Sequence, residues 1–176
     1  MLSQNDELIL RELRSALSSL PEGTEEALAQ ALLIHRRVFF CGAGRSGLML
    51  RALAMRLAQM GRCTYVAGET VTPAIEKGDL LVAASASGKT AGVVNNARIA
   101  REAGADVLVI TAAADGPLAA LGDGVILLNA GSKERASGEQ VMGSLFEQAL
   151  LILGDGAVQQ MNADGEAMRR RHANLE

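Results

Sequence analysis

Apolar residues in this chain recur first at helical spacing. Leu8, Ile9, Leu13, Ala16, Leu17 and Leu20 repeat mostly three or four positions apart over residues 6–20, which predicts an amphipathic helix. Pro21-Glu22-Gly23-Thr24 interrupts the pattern, and Thr24 is expected to cap a second helix over 25–35 with Leu28, Ala31 and Leu32 inward. The period then changes. Short apolar runs at 38–41, 64–67, 80–84, 107–110 and 125–128 alternate with helical stretches at 47–60, 90–103 and 143–161 and a short helix at 116–121. Runs this short, largely apolar and separated by helices, predict strands buried on both faces. The expected fold is α/β: a five-stranded parallel sheet flanked by helices, a three-layer αβα sandwich. We expect one domain over 1–176, with a helical lead 1–35, an α/β core 36–161 and a charged tail 162–176. The stretches 68–78 and 129–142 read as loops. Gly154 and Gly156 fall inside the last long helix, where each costs roughly 1 kcal/mol relative to Ala. Close packing and a bend are both open there.

Composition narrows the class. The chain of 176 residues is 49% hydrophobic but only 2% aromatic, with no Trp. Its core must be built from Leu, Val, Ile, Ala and Met, which suits helices on a parallel sheet better than a β-sandwich. The formal charge of −3 and the lack of stacking aromatics argue against nucleic acid as a partner. Cys41 and Cys63 lie in predicted strands and read as reduced core residues of a cytoplasmic protein. The start MLSQNDELIL lacks the basic flank and apolar run of a signal peptide. No stretch is expected to reach the ~20 apolar residues of a membrane span. Met49, Met55, Met60 and Met142 read as flexible core or interface filler. His35, beside Arg36 and Arg37, reads as a solvated helix end.

Two loops carry candidate chemistry. Ser85-Ala86-Ser87-Gly88-Lys89-Thr90 ends a buried strand and opens a helix. Backbone N–H groups and the dipole at a helix start favour an anion, and three hydroxyls add donors. The earlier loop Gly42-Ala43-Gly44-Arg45-Ser46-Gly47 has a similar design. Its glycines also satisfy the GxGxxG spacing of a dinucleotide fingerprint. The acidic residue expected ~20 positions on has only an approximate counterpart in Glu69, 27 positions after Gly42. Taken alone, this loop is either such a fingerprint or a tight turn. The pair of loops points to a phosphorylated small molecule.

The pair GAGRS and SASGKT resembles the sugar isomerase (SIS) domain family, whose phosphosugar loop reads S-x-S-G-x-T. Four further segments are similar to the hexuloisomerase branch of that family: Ala54-Met55-Arg56-Leu57, Gly68-Glu69-Thr70-Val71-Thr72-Pro73, Gly143-Ser144-Leu145-Phe146-Glu147-Gln148 and Arg171-His172-Ala173-Asn174-Leu175. The resemblance runs from about residue 38 to the end. Lys89 departs from the family pattern where an acidic residue is common, and Ala86 where glycine is common. The resemblance implies conversion of a 3-hexulose 6-phosphate to fructose 6-phosphate, with hexulose-phosphate synthase as the formaldehyde-fixing pathway partner. It also implies a homo-oligomer built as a dimer of dimers. The family leaves two rival readings: an arabinose 5-phosphate isomerase, and a phosphosugar-sensing module without turnover.

The reaction has its own demands. Moving the carbonyl from C3 to C2 removes a proton from C2 and returns one at C3 through a 2,3-enediol. That needs an acid/base group, a stabiliser for the enediolate oxygen and a grip on the distant phosphate. No metal or other cofactor is required. The resemblance assigns Ser85, Ser87, Gly88 and Thr90 to the phosphate, with Gly44 and Ser46 near it and Thr72 at the rim. Ordinary helix capping by Ser and Thr is the alternative. Glu147 matches the proposed acid/base position; helix logic alone makes it a carboxylate favoured by the dipole. Arg45 either stabilises the enediolate, orients a hydroxyl or pairs with a carboxylate on the surface. Glu69 either touches sugar hydroxyls or pairs with Arg45 or Arg56. His172 is by position a frayed tail; the resemblance makes it a ring-opening residue, in its own site or a neighbour's.

Overall fold

The protein is described from a computed structural model, which covers residues 1–132 and 138–175. Five strands, β1 (Arg37–Gly42), β2 (Cys63–Val66), β3 (Leu80–Ser85), β4 (Asp106–Thr111) and β5 (Gly124–Leu127), form one parallel sheet in the order β2-β1-β3-β4-β5. The helices are α1 (Gln4–Ser18), α2 (Thr24–Ile34), α3 (Gly44–Gln59), α4 (Ala91–Glu102), α5 (Ser144–Gln160) and α6 (Gly165–Arg170), with 3-10 turns at Ala119–Leu121 and Val141–Gly143. Strand alternation sorts the core onto two faces. Val38, Phe40, Leu80, Val82, Ala84 and Ile110 face α1, α2, α3 and α5. Phe39, Cys41, Leu81, Ala83, Val107 and Val109 face α4 and Leu118. The fold is the expected α/β sandwich, and of the polar loop expected at 129–142, residues 133–137 lie outside the described residues.

The strand order positions the site. From β1 the chain moves outward to β2 through α3 on one face, then returns past β1 to β3 on the other. The loops after β1 and β3 therefore diverge to opposite faces, although these strands are hydrogen-bonded neighbours with Gly42 beside Ala84. A crevice opens between such loops at the C-terminal edge of the sheet.

Helix α5 is the interior helix of one face, in contact with α1, α2 and α3. It explains a departure from expectation. Val141–Gln160 is long and apolar enough to cross a membrane, with mean hydropathy 1.3, but half of it is buried inside this chain. A helix apolar on most sides is what a core position between other helices requires. Gly154 lies against Leu53 of α3 and Gly156 against Glu25 of α2, and α5 runs unbroken. The glycines serve close packing rather than a bend.

The N-terminal edge of the sheet is locked by charge. Arg37 donates from Nε to Asp79 Oδ1 at 2.7 Å and from Nη2 to Oδ2 at 2.5 Å, and the Glu76 N–H adds a bond to Oδ2 at 2.8 Å. Arg62 Nη2 donates to the carbonyls of Leu33 and His35, both at 2.7 Å, closing the end of α2. His35 is not solvated as expected: its ring bridges Ala31 O at 2.8 Å and Asp106 Oδ2 at 2.9 Å. Thr24 does not cap α2 either. Gly23, at φ +81°, is the cap residue, and the Thr24 hydroxyl donates to Pro21 O.

Candidate active site

Three helices begin at the same place. The starts of α3, α4 and α5 meet at the crevice, and their cap residues Ala43, Thr90 and Gly143 make no side-chain capping bond. They enclose a cleft of about 260 Å³ lined by Gly44, Arg45, Ser46, Ser85, Ser87, Thr90 and Glu147, together with Ser132, Met142 and Gly143. Helix starts without side-chain caps leave N–H groups and partial positive charge directed at a common space, which favours an anionic ligand.

The β3–α4 loop is built for close approach. Gly88 takes φ +64°, and a Cβ there would meet Thr111 Oγ1 at 3.3 Å and the Gly116 backbone at 3.4 Å. The loop is pinned from below by Ala112 N–H to Ala86 O at 3.1 Å and by Leu118 N–H to Gly88 O at 3.0 Å. Ser85 is buried, and its hydroxyl lies 2.9 Å from Thr90 Oγ1. That contact occupies one of the pair's two protons, so one remains for a ligand. The Ser87 hydroxyl accepts from Lys89 N–H at 3.3 Å and keeps its own proton. Across the crevice, a Cβ at Gly47 would stand 2.6 Å from Gly42 O, so these two glycines let the end of β1 touch the first turn of α3.

Glu147 and Arg45 are brought together. Glu147 lies in the first turn of α5 and is 8% exposed. Its Oε2 stands 3.1 Å from Arg45 Nε. The approach has the distance of an ion pair without hydrogen-bond alignment, and Oε2 has no hydrogen-bond partner among the described residues. Arg45 Nη1 donates to Ser144 Oγ at 3.2 Å. Arg45 is thus the half-exposed, carboxylate-paired arginine of one sequence reading, but its partner is the candidate base itself. A nearly buried carboxylate with an unsatisfied oxygen, facing a cleft beside a cation, is suited to accepting a proton from a bound molecule.

Other expectations are corrected. Thr72 does not rim this cleft. The β2–β3 connection contains no helix and itself covers the α4 face of the sheet, so Thr72 and Pro73 line a separate hollow with Phe39, Ile75 and Ile99. The Thr72 hydroxyl is bonded to Val66 O at 2.6 Å. Glu69 pairs with Arg51, not Arg45 or Arg56. His172 is exposed and outside the cleft of its own chain. The neighbouring Arg171 donates to Gln59 O at 3.3 Å, at the far end of α3, about 20 Å from Arg45 at 1.5 Å per residue. Cys41 is buried but Cys63 is exposed. Met142 is not in the core. It is 67% exposed at the cleft mouth with φ +58°. Ser132, Met142 and the Arg45–Ser144 bond were missed; the last had a signal in Gly143-Ser144 preceding Glu147.

Comparison with known proteins places the whole chain among phosphosugar-isomerase relatives. The SIS domain model matches residues 32–152. The chain is 40% identical to the 3-hexulose-6-phosphate isomerase of Mycobacterium gastri, over 99% of this chain and 92% of that one. It is 34% identical to the enzyme of the same name from Bacillus subtilis, over 96% and 95%. A solved structure of a hypothetical protein from Methanococcus jannaschii, from which a 3-hexulose-6-phosphate isomerase function was inferred, superposes with a TM-score of 0.84 at 27% identity and covers 99% of this chain and 100% of that one.

Proposed function

The chain belongs to the SIS domain family, and from that membership we propose that it isomerises a 3-hexulose 6-phosphate to fructose 6-phosphate. The observation that carries the mechanism is the buried Glu147 carboxylate sharing one cleft with the Ser85, Ser87 and Thr90 hydroxyls. The phosphate is held by those hydroxyls and the start of α4, with Gly44 and Ser46 closing the opposite wall. The carbon chain then extends toward α5. Glu147 takes the proton from C2, exchanges it with solvent and delivers a proton to C3, while the O2 hydroxyl proton passes to O3. Charge that develops on the enediolate oxygens faces Arg45 and the starts of α3 and α5, where preorganised positive potential stabilises it. The substrate's C3 ketone cannot close a five-membered ring, because O6 carries the phosphate; fructose 6-phosphate closes through O5. Acid/base help with ring opening is needed on one side only.

We assign that help to His172 of a neighbouring copy, since the residue is exposed and about 20 Å of helix separates its anchor from its own cleft. Leu48 and Met55 on α3 and Ile152 on α5 are large exposed apolar side chains and support a homo-oligomer, a dimer of dimers. Residues 1–176 act as one unit in this reading. The enzyme works in the cytoplasm beside hexulose-phosphate synthase. A coupled assay tests it: ribulose 5-phosphate, formaldehyde and the synthase are supplied, and fructose 6-phosphate is followed through glucose 6-phosphate. Turnover supports the proposal. Turnover of arabinose 5-phosphate instead, or phosphosugar binding without turnover, replaces it with the corresponding rival.

A further inference from the structure

We propose that Ser144 is a positioning residue for this reaction: it fixes the guanidinium of Arg45 against Glu147. The inference rests on the isomerase reading of the cleft. Ser144 is the first residue of α5, and its Oγ lies 2.8 Å from Val141 O and 3.2 Å from Arg45 Nη1. A carbonyl only accepts, so the single Ser144 proton goes to Val141. The lone pairs of Oγ are left to Arg45, and the direction of both bonds is fixed. The carboxylate cannot do this alone. Its 3.1 Å approach to Nε lacks hydrogen-bond alignment, so the pair sets a distance but not an orientation. A long arginine side chain that is 56% exposed is otherwise free among rotamers. Ser144 supplies the one directional bond to it among the described residues.

The turn before α5 makes this possible. Met142 at φ +58° and Gly143 at φ +77° are both left-handed, which folds Val141 O back over the first residue of the helix. Such a conformation is costly for methionine. Its consequence here is a serine hydroxyl locked in the one orientation that receives Arg45. The phosphate loop belongs to β3 and α4, so loss of Ser144 acts on the chemical step rather than on the phosphate grip.

The test is Ser144→Ala with steady-state kinetics. A hydrogen bond to a charged group predicts a fall in kcat of about tenfold or more, with KM within about twofold. Ser144→Thr, which keeps a hydroxyl, recovers most of the loss. In an Arg45→Ala background, Ser144→Ala costs nothing further, because the residue acts through Arg45. Unchanged kcat in Ser144→Ala, or an equal loss with and without Arg45, overturns the inference while leaving the isomerase intact. A readout free of turnover separates the two readings. The Arg45 Nη–H resonances, assigned by their loss in Arg45→Lys, exchange with solvent faster in Ser144→Ala than in the parent. Equal exchange rates overturn the positioning role even if the parent proves inactive on the phosphosugar.

Discussion

The two edges of this sheet treat polar groups in opposite ways. At the N-terminal edge every polar atom of the Asp79 carboxylate has a donor: Arg37 reaches both oxygens and Glu76 N–H adds a third bond. His35 and Arg62 Nη2 bond the carbonyls at the end of α2, although Arg62 Nε is buried without a partner among the described residues. At the C-terminal edge three helix starts have no side-chain cap, and Glu147 Oε2 is buried without a hydrogen bond among the described residues. Met142 and Gly143 are held left-handed, and Gly88 leaves room for close approach. Buried polar groups left unpaired destabilise a fold unless something else completes them. One edge completes its buried carboxylate internally and ties the sheet together. The other leaves its own for a ligand.

Mutations should respect that division. The largest effect is expected from Glu147→Gln: kcat falls about 10³-fold, within the span of general acid/base catalysis, with little change in the melting temperature. Asp79→Asn should do the reverse. It leaves Arg37 without its buried partner and costs about 3 kcal/mol, a melting shift of roughly 6–12 °C for a domain of this size, while the folded protein keeps its kcat. Burial by itself raises the Asp79 carboxyl, but the Arg37 hydrogen bonds, the Glu76 N–H and the charges of Arg37 and Arg36 outweigh it and hold the group below the ordinary carboxylate range. The folded value therefore lies under the unfolded one of about 3.9. This stabilisation is complete above that pH and is lost as pH falls through the folded value, so Asp79→Asn flattens acid denaturation at its upper end. Ser87→Ala comes next, with KM raised roughly tenfold or more for one charge-assisted bond and stability unchanged. The smallest effect belongs between the edges. Gly154→Ala adds a Cβ at 3.4 Å from Leu53, an ordinary contact, and gains at most about 1 kcal/mol of helix propensity. A kcat change in Asp79→Asn, or a large melting shift in Glu147→Gln, would blur the division.

Much of the active edge was legible in the sequence. A phosphate favours hydroxyls and glycine at a strand-to-helix turn, and Ser85–Thr90 has that composition, with helix capping as its simpler use. Glu147 was legible as a carboxylate at a helix start, and its neighbours Gly143-Ser144 marked where that helix begins. The locking edge was not. Arg37 and Asp79 lie 42 positions apart, and His35 and Asp106 lie 71 apart; nothing local announces such pairs. Thr72 shows a different limit. Its place after β2 fixes a sheet edge, but which face the connection covers depends on there being no helix between β2 and β3. His172 shows a third. The docking of Arg171 on Gln59 sends the tail to the end of α3 remote from the cleft, and one chain's sequence does not say whose cleft a tail serves. The left-handed Met142 was invisible because methionine rarely adopts that conformation.

The central claim is that Glu147 moves a proton between C2 and C3. Fructose 6-phosphate incubated with the protein in D₂O, followed by proton NMR, tests it directly. The wild type should replace the C3 proton with deuterium, and Glu147→Gln should leave that proton in place over the same period. Retention of the C3 proton by a turning-over wild type, or equal washout in Glu147→Gln, contradicts the account.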